Sequence, residues 1–87
     1  VRLKGKVDSN QAAIVSEFRR RGYLVLSLAS HGRGIPDLLI FDGDRLSLIE
    51  VKSKEGKLTP AQIDFQALGW PVIVVRSISD LEEFFNG

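Results

Sequence analysis

Gly34-Ile35-Pro36-Asp37-Leu38-Leu39-Ile40-Phe41, then Asp42-Gly43-Asp44, then Arg45-Leu46-Ser47-Leu48-Ile49-Glu50-Val51-Lys52 reads as two apolar strands joined by a tight turn. An acid opens the first strand and Glu-Val-Lys closes the second, although strand interiors rarely hold charge because an unpaired buried carboxylate is expensive. With Gly43-Asp44 as the central pair of a two-residue turn, glycine first, Asp42 pairs with Arg45. Counting inward then sets Asp37 opposite Glu50. Moving the turn to Asp42-Gly43 shifts the register by two and keeps both acids on one face, whereas a three-residue turn without a bulge sends Asp37 to the other. In the first register the two Cβ atoms stand about 4.5–5.5 Å apart, where carboxylates repel unless a cation lies between them. Lys52, two residues beyond Glu50, points to the same face. An oxygen-only donor set suits a hard cation, Mg²⁺ or Mn²⁺. A purely structural alternative is an ion pair of Glu50 with Lys52 and a turn or capping role for Asp37.

Outward from the hairpin, the pattern is regular. Upstream, Asp8 or Ser9 can cap a helix running to about Arg21 and stopped by Gly22. Its apolar stripe is Ile14, Val15 and Phe18, with the polar Gln11 in the same row. Arg19, Arg20 and Arg21 fall in its last turn, where they suit the negative end of the helix dipole. Tyr23–Ala29 is an aliphatic strand, followed by the glycine-bearing loop Ser30–Gly34. His31 in that loop has no second His or Cys to share a metal, while Arg33 lies between two glycines that let a ligand approach the backbone.

Downstream, Thr59 caps a helix with Pro60 at its first position, running to Leu68 and ending at Gly69. Ala61, Phe65 and Leu68 read as its core stripe, with Gln62 beside them. Val72–Arg76 is a strand too apolar to be half-exposed. Ser79 caps a last helix that turns Leu81, Phe84 and Phe85 inward. The order is α-β-β-β-α-β-α, and the helical crossover after Lys52 implies a parallel pair with right-handed connection. The expected fold is α/β, a mixed four-stranded sheet with helices on both faces.

The 87 residues make one small domain, 1–87, with residues 1–8 a basic arm or short edge strand. Hydrophobic content of 44% predicts a packed core rather than disorder. There are no cysteines, hence neither disulfides nor a thiolate metal site, which fits a reducing cytoplasm. No apolar run suits a membrane span and no secretion signal is visible. The net charge of +1 hides an asymmetry: residues 1–34 hold seven Lys/Arg and two acids, residues 35–87 five Lys/Arg and nine acids. A basic leading third beside an acid-bearing remainder is what a phosphate-binding surface next to a metal site would look like.

These residues match a known pattern. Gly34-Ile35-Pro36-Asp37, with Glu50-Val51-Lys52 following, resembles the PD-(D/E)xK nuclease superfamily. The flanking Leu38-Leu39 and Ile49, then Gly56-Lys57-Leu58-Thr59-Pro60 with Gln62, resemble its VRR-NUC family specifically, over about Gln11 to Phe85. The resemblance implies a restriction-endonuclease-like core and a metal-dependent DNA endonuclease that hydrolyses phosphodiesters. By position, Asp37, Glu50 and the backbone carbonyl of Val51 would bind Mg²⁺ or Mn²⁺, Lys52 would be the catalytic lysine, and Gln62 would touch the attacking water or the scissile phosphate. Relatives often place a glutamate on the first helix, where this chain has Gln11, a weaker candidate ligand; two-metal occupancy is therefore in question. Glu17 points too far round the helix to replace it.

Arg33, Lys54, Lys57 and, on the arm, Lys4 and Lys6 are the candidate DNA contacts. Likeness to the compact, often phage-encoded members implies a homodimer acting on Holliday-junction or other branched DNA, in the cytoplasm of a bacterial or phage-infected cell. No small-molecule cofactor and no membrane partner are expected. The alternative, prompted by Gln11, is a branched-DNA-binding module that keeps the fold without cutting.

Overall fold

A computed structural model describes residues 9–86 and shows an α/β fold of three helices and one mixed four-stranded sheet. The basic arm, residues 1–8, lies outside the described residues. The elements are α1 (Ser9–Arg20), β1 (Leu24–Ser27), β2 (Leu38–Phe41), β3 (Leu46–Val51), α2 (Pro60–Ala67), β4 (Val72–Val75) and α3 (Ile78–Asn86). The sheet runs in the order β1-β2-β3-β4, its first three strands antiparallel and β4 parallel to β3 across the α2 connection. Among the described residues no helix is long and apolar enough to cross a membrane.

The central hairpin adopts the first of the two even registers. Phe41 pairs with Leu46 and Leu38 with Ile49, while the Asp42 N–H donates to the Arg45 carbonyl. Asp42 also closes the turn through its side chain, Oδ1 accepting from the Asp44 and Arg45 N–H groups at 2.8 Å each. Those amides, Arg45 first, hold the Asp42 carboxyl below the usual range. Gly43 supplies the left-handed φ of 98° that the turn needs.

Because side chains alternate across a strand, the register sorts them into two faces. One face carries Leu38, Ile40, Ile49, Val51 and Val75, buried beneath Ile14 and Phe18 of α1 and Leu81 of α3. Phe18, Tyr23, Phe84 and Phe85 close the rim of this core as an aromatic cluster with centroids 5.3–6.2 Å apart. The other face carries Leu24, Leu26, Leu39, Leu46, Leu48 and Glu50, and Leu24 remains 69% exposed.

The three helix-end arginines have structural work. Arg20 and Arg21 bind Glu17, Arg21 lies 4.0 Å over the Phe85 ring, and Arg19 reaches the Val25 carbonyl.

Four sequence expectations need correction. The strand expected over Tyr23–Ala29 stops at Ser27, because Ala29–His31 coils into a short 3₁₀ turn. The inward row of α2 is Gln62, Phe65 and Gln66, while Ala61 is exposed and Leu68 is 79% exposed. The bond from Gln62 to Glu50 of the sheet goes with that rotation. The strand β4 lies at the sheet edge, so Ile73 is 37% exposed despite an apolar sequence. The last helix begins two residues earlier than expected, with Ser77 rather than Ser79 meeting a first-turn amide: Ser77 Oγ accepts from the Asp80 N–H at 3.4 Å.

Candidate active site

The site forms where β2 and β3 part company. Lys52, just past β3, donates its N–H to the Val75 carbonyl of β4 at 3.0 Å. Main-chain groups alternate sides along a strand, so the N–H and C=O of Val51 face the β2 side. There the Val51 N–H meets not a ladder carbonyl but the Asp37 side chain, whose Oδ2 accepts it at 2.8 Å. Asp37 thus ends the strand pairing with its carboxylate, and the Val51 carbonyl is directed to the same side of β3.

Glu50 precedes Val51 and alternates to the opposite face of the sheet from the core. It is only 2% exposed, and its Oε2 accepts from Gln62 Nε2 at 2.9 Å. The orientation of that amide is settled by its other end: Gln62 Oε1 accepts from the Thr59 N–H at 2.8 Å, while Thr59 Oγ1 accepts from the Gln62 N–H at 3.2 Å. The reciprocal cap satisfies first-turn amides of α2 and leaves the Nε2 of Gln62 to face Glu50. A motif that starts a helix therefore also aims a side chain into the site.

Glycine holds α2 in place above the strands. Gly34 has a φ of 81°, and a Cβ there would fall on the Ala61 carbonyl and 3.0 Å from the Gln62 nitrogen. The loop before Asp37 can approach the first turn of α2 this closely only without a side chain. Arg33 beside it is the one non-glycine residue with positive φ among the described residues, at 60°. Its side chain is exposed, as are those of His31, Lys54 and Lys57.

The expected residues therefore divide. Two hydrogen-bonded pairs, Asp37 with the Val51 N–H and Glu50 with Gln62, meet at adjacent residues of β3, and Lys52 is half-buried at the end of the same strand. Gln11 is half-buried on α1, the helix that packs on the core face, which is the face opposite to Glu50. Lys4 and Lys6 lie outside the described residues.

Two residues passed over in the sequence prove to be structural neighbours of the site. Asn10 Nδ2 donates to the carbonyls of Lys52 at 3.1 Å and Arg76 at 3.2 Å, and Arg76 Nη1 donates to the carbonyls of Ser53, Lys54 and Gly56. An asparagine in a first helical turn looks like an end-capping residue, and its partners 42 and 66 positions away leave no local trace.

The oxygens on this edge are those of two carboxylates and a carbonyl, while the Gln62 amide turns its Nε2 to Glu50 and its oxygen to the Thr59 N–H. Among the described residues no trio of His, Cys, Asp and Glu forms a metal cage. A pair of carboxylates with a carbonyl is the kind of oxygen set that a hard cation such as Mg²⁺ takes. Comparison with protein-family models, curated proteins and solved structures finds no match to this chain.

Proposed function

We propose that this protein is a Mg²⁺- or Mn²⁺-dependent DNA endonuclease of the PD-(D/E)xK type, resembling the VRR-NUC family, on a restriction-endonuclease-like core. The observation that carries the reading is the joined set at the β3 end: buried Glu50 held by Gln62, with Asp37 bonded to the very next residue's amide. Structural ion pairing does not require two acids and a capped glutamine on one strand end.

In this reading Asp37, Glu50 and the Val51 carbonyl hold the cation. When bound, it supplies Lewis acidity at a phosphoryl oxygen and charge stabilisation in the transition state. The chain's own residues do the rest. Lys52, on the same face as Glu50, orients the attacking water and can move its proton. Gln62 keeps the Glu50 carboxylate in one orientation and has its own amide fixed by Thr59. Arg33, Lys54 and Lys57 are exposed cations that would neutralise phosphates of the substrate backbone.

The substrate we favour is branched DNA, cut by a homodimer, since paired nicks on a two-fold symmetric junction need two sites. The open sheet face supports self-association: Leu24, Leu26 and Leu46 are mostly exposed there, beside half-buried Leu39, Phe41 and Leu48. Contiguous apolar surface of this kind marks interaction sites on soluble domains.

The test is a cleavage panel on four-way junction, flap, splayed-arm and duplex DNA with each cation, run beside Lys52→Ala. Metal-dependent cutting by wild type, with only a small residual rate from the variant, is the expected result. Junction binding without cutting would establish the non-catalytic alternative. Sedimentation of wild type against Leu26→Lys tests the dimer.

A further inference from the structure

Lys52 is held from three sides by groups that the cleavage chemistry does not use. Its N–H is bonded to β4 through the Val75 carbonyl at 3.0 Å, and its own carbonyl accepts from Asn10 Nδ2 at 3.1 Å. The same Asn10 nitrogen reaches the Arg76 carbonyl at 3.2 Å, so one carboxamide staples the ends of two parallel strands to the start of α1. From Arg76 the network continues. Its N–H donates to Asp80 Oδ2 at 2.7 Å, tying β4 to α3, while its guanidinium gathers the carbonyls of Ser53, Lys54 and Gly56. The folded-back loop passes near the lysine stem: a Cβ on Gly56 would lie 2.8 Å from Ser53 Oγ and 3.6 Å from Lys52 Cδ.

This is more bonding than a four-residue loop needs to stay attached. Carbonyls at the end of a strand are ordinarily left to water, and here five of them converge on two side chains, one from α1 and one just past β4. A flexible lysine on a strand end samples many rotamers, and a reacting group displaced by about 1 Å can lose roughly 100-fold in rate. Fixing the backbone on both sides of Lys52 sets the point and direction from which its stem leaves the strand, and so narrows where the ammonium can go.

We propose that Asn10 and Arg76 are positioning residues that set the Lys52 ammonium against the Asp37–Glu50 edge, Asn10 through the Lys52 carbonyl and Arg76 through the loop that follows. The inference rests on the nuclease reading for its catalytic meaning. Asn10 touches neither carboxylate among its hydrogen bonds, so it acts through the lysine and leaves the metal ligands alone.

The experiment compares wild type, Asn10→Ala, Arg76→Ala, Arg76→Lys, Lys52→Ala and the double variant Asn10→Ala/Lys52→Ala. Each is checked for fold by circular dichroism, for Mn²⁺ affinity by calorimetry, and for kcat and KM on the preferred DNA. Asn10→Ala is expected to lower kcat by about 10–100-fold, the range seen when groups supporting a site are removed, with KM and Mn²⁺ affinity within about two-fold of wild type. In the Lys52→Ala background the same change is expected to do nothing further, since the residue it positions is gone. Arg76→Lys, which keeps the charge and three donors on one nitrogen but not the planar guanidinium, is expected to fall between wild type and Arg76→Ala.

Equal losses in Mn²⁺ affinity and kcat, or a full additional loss in the Lys52→Ala background, would overturn the proposal in favour of a general structural role. So would a kcat for Asn10→Ala within two-fold of wild type. If Asn10→Ala does not fold, the Arg76 pair carries the test alone.

Failure of the nuclease reading looks different, because wild type itself then cuts no DNA. The positioning claim is still read by NMR. The Lys52 side-chain and Ser53–Gly56 amide resonances should move in Asn10→Ala while those of Leu24–Ser27 stay put, and no movement at Lys52 refutes it.

Discussion

The two faces of the sheet use the same strands for different ends. On one face Leu38, Ile40, Ile49, Val51 and Val75 lie under α1 and α3, apolar and closed to water. On the other, the same β3 presents Leu46, Leu48, Glu50 and then Lys52, covered only in part by an α2 that buries no residue completely. Consecutive residues are assigned to opposite tasks: Ile49 and Val51 hold the fold, while Glu50 and Lys52 carry the charge. This is possible because the strand period is two, and it makes the hairpin register the parameter that matters most, since a one-residue slip would exchange core and site.

The comparison is broken most sharply by one substitution on each face. Glu50→Gln keeps the shape and removes the charge. It is expected to lower metal-dependent cleavage by roughly 10²–10³-fold, as loss of a single electrostatic group at an active site does, and to change unfolding free energy by no more than about 1 kcal/mol. Phe18→Ala on the core face should do the reverse. Phe18 is fully buried and packs against Tyr23, Phe84 and Phe85, so its truncation is expected to cost about 3–5 kcal/mol. Activity per folded molecule should survive. Denaturant titration beside a cleavage assay reads both; equal damage to both properties from either variant would end the division of labour.

Gly34→Ala tests the joint between the loop and α2. The added methyl meets the Ala61 carbonyl, and the residue sits at a φ of 81° that side chains resist. Overpacking and the left-handed conformation together should cost about 2–4 kcal/mol. Because α2 must shift to make room and Gln62 shifts with it, cleavage should fall further than stability alone explains. A variant that loses stability but cuts normally would show that Gln62 does not depend on this contact.

How far these features were legible from the chain depends on whether their causes were local. The register of the hairpin follows from Gly43 and from the alternation of Leu, Ile and Val on both sides of it, and the pairing Phe41 with Leu46 is the one expected. Thr59-Pro60 likewise marks the start of α2 at the right residue. What failed depends on distant partners. Nothing near Val72 says that β4 ends the described sheet, and Leu68 looks like core until Gln62 is bonded to Glu50 on the sheet. Asn10 is the clearest case, since its partners are brought to it only once the sheet is assembled. The acids of the site were readable because charge is costly inside a strand; their supports were not, because an asparagine or an arginine costs nothing at a helix start or a strand end.

A smaller effect separates strain from fit at Arg33. Its φ of 60° costs an L-residue about 1–2 kcal/mol, which glycine avoids at an entropic cost of about 0.5–1 kcal/mol. Arg33→Gly is therefore expected to raise stability by about 0.5–1 kcal/mol while weakening DNA affinity and flattening its salt dependence by the equivalent of one phosphate contact. Gain of stability with unchanged DNA binding would leave the arginine without a part in substrate recognition.

The smallest expected effect lies on α1, away from the site face. Glu17 accepts hydrogen bonds from Arg20 at 3.1 and 2.6 Å and from Arg21 at 2.9 Å, which bring its carboxyl down to about 2, from 4.5. A carboxyl whose folded pKa is depressed lends stability that is fully present above the unfolded value. That contribution is lost as pH falls from 4.5 towards 2, where the carboxylate protonates and releases both arginines. The cluster is open to solvent, so the contribution is small and salt should shrink it. Arg21 also stacks over Phe85, and protonating Glu17 frees a cation that helps close the aromatic rim of the core. Thermal unfolding across this pH range should therefore show a shallower acid limb in Glu17→Gln than in wild type, with the difference fading at high salt. An identical limb in both would assign the acid sensitivity elsewhere, first to Asp42, whose carboxyl the Arg45 and Asp44 amides also hold low.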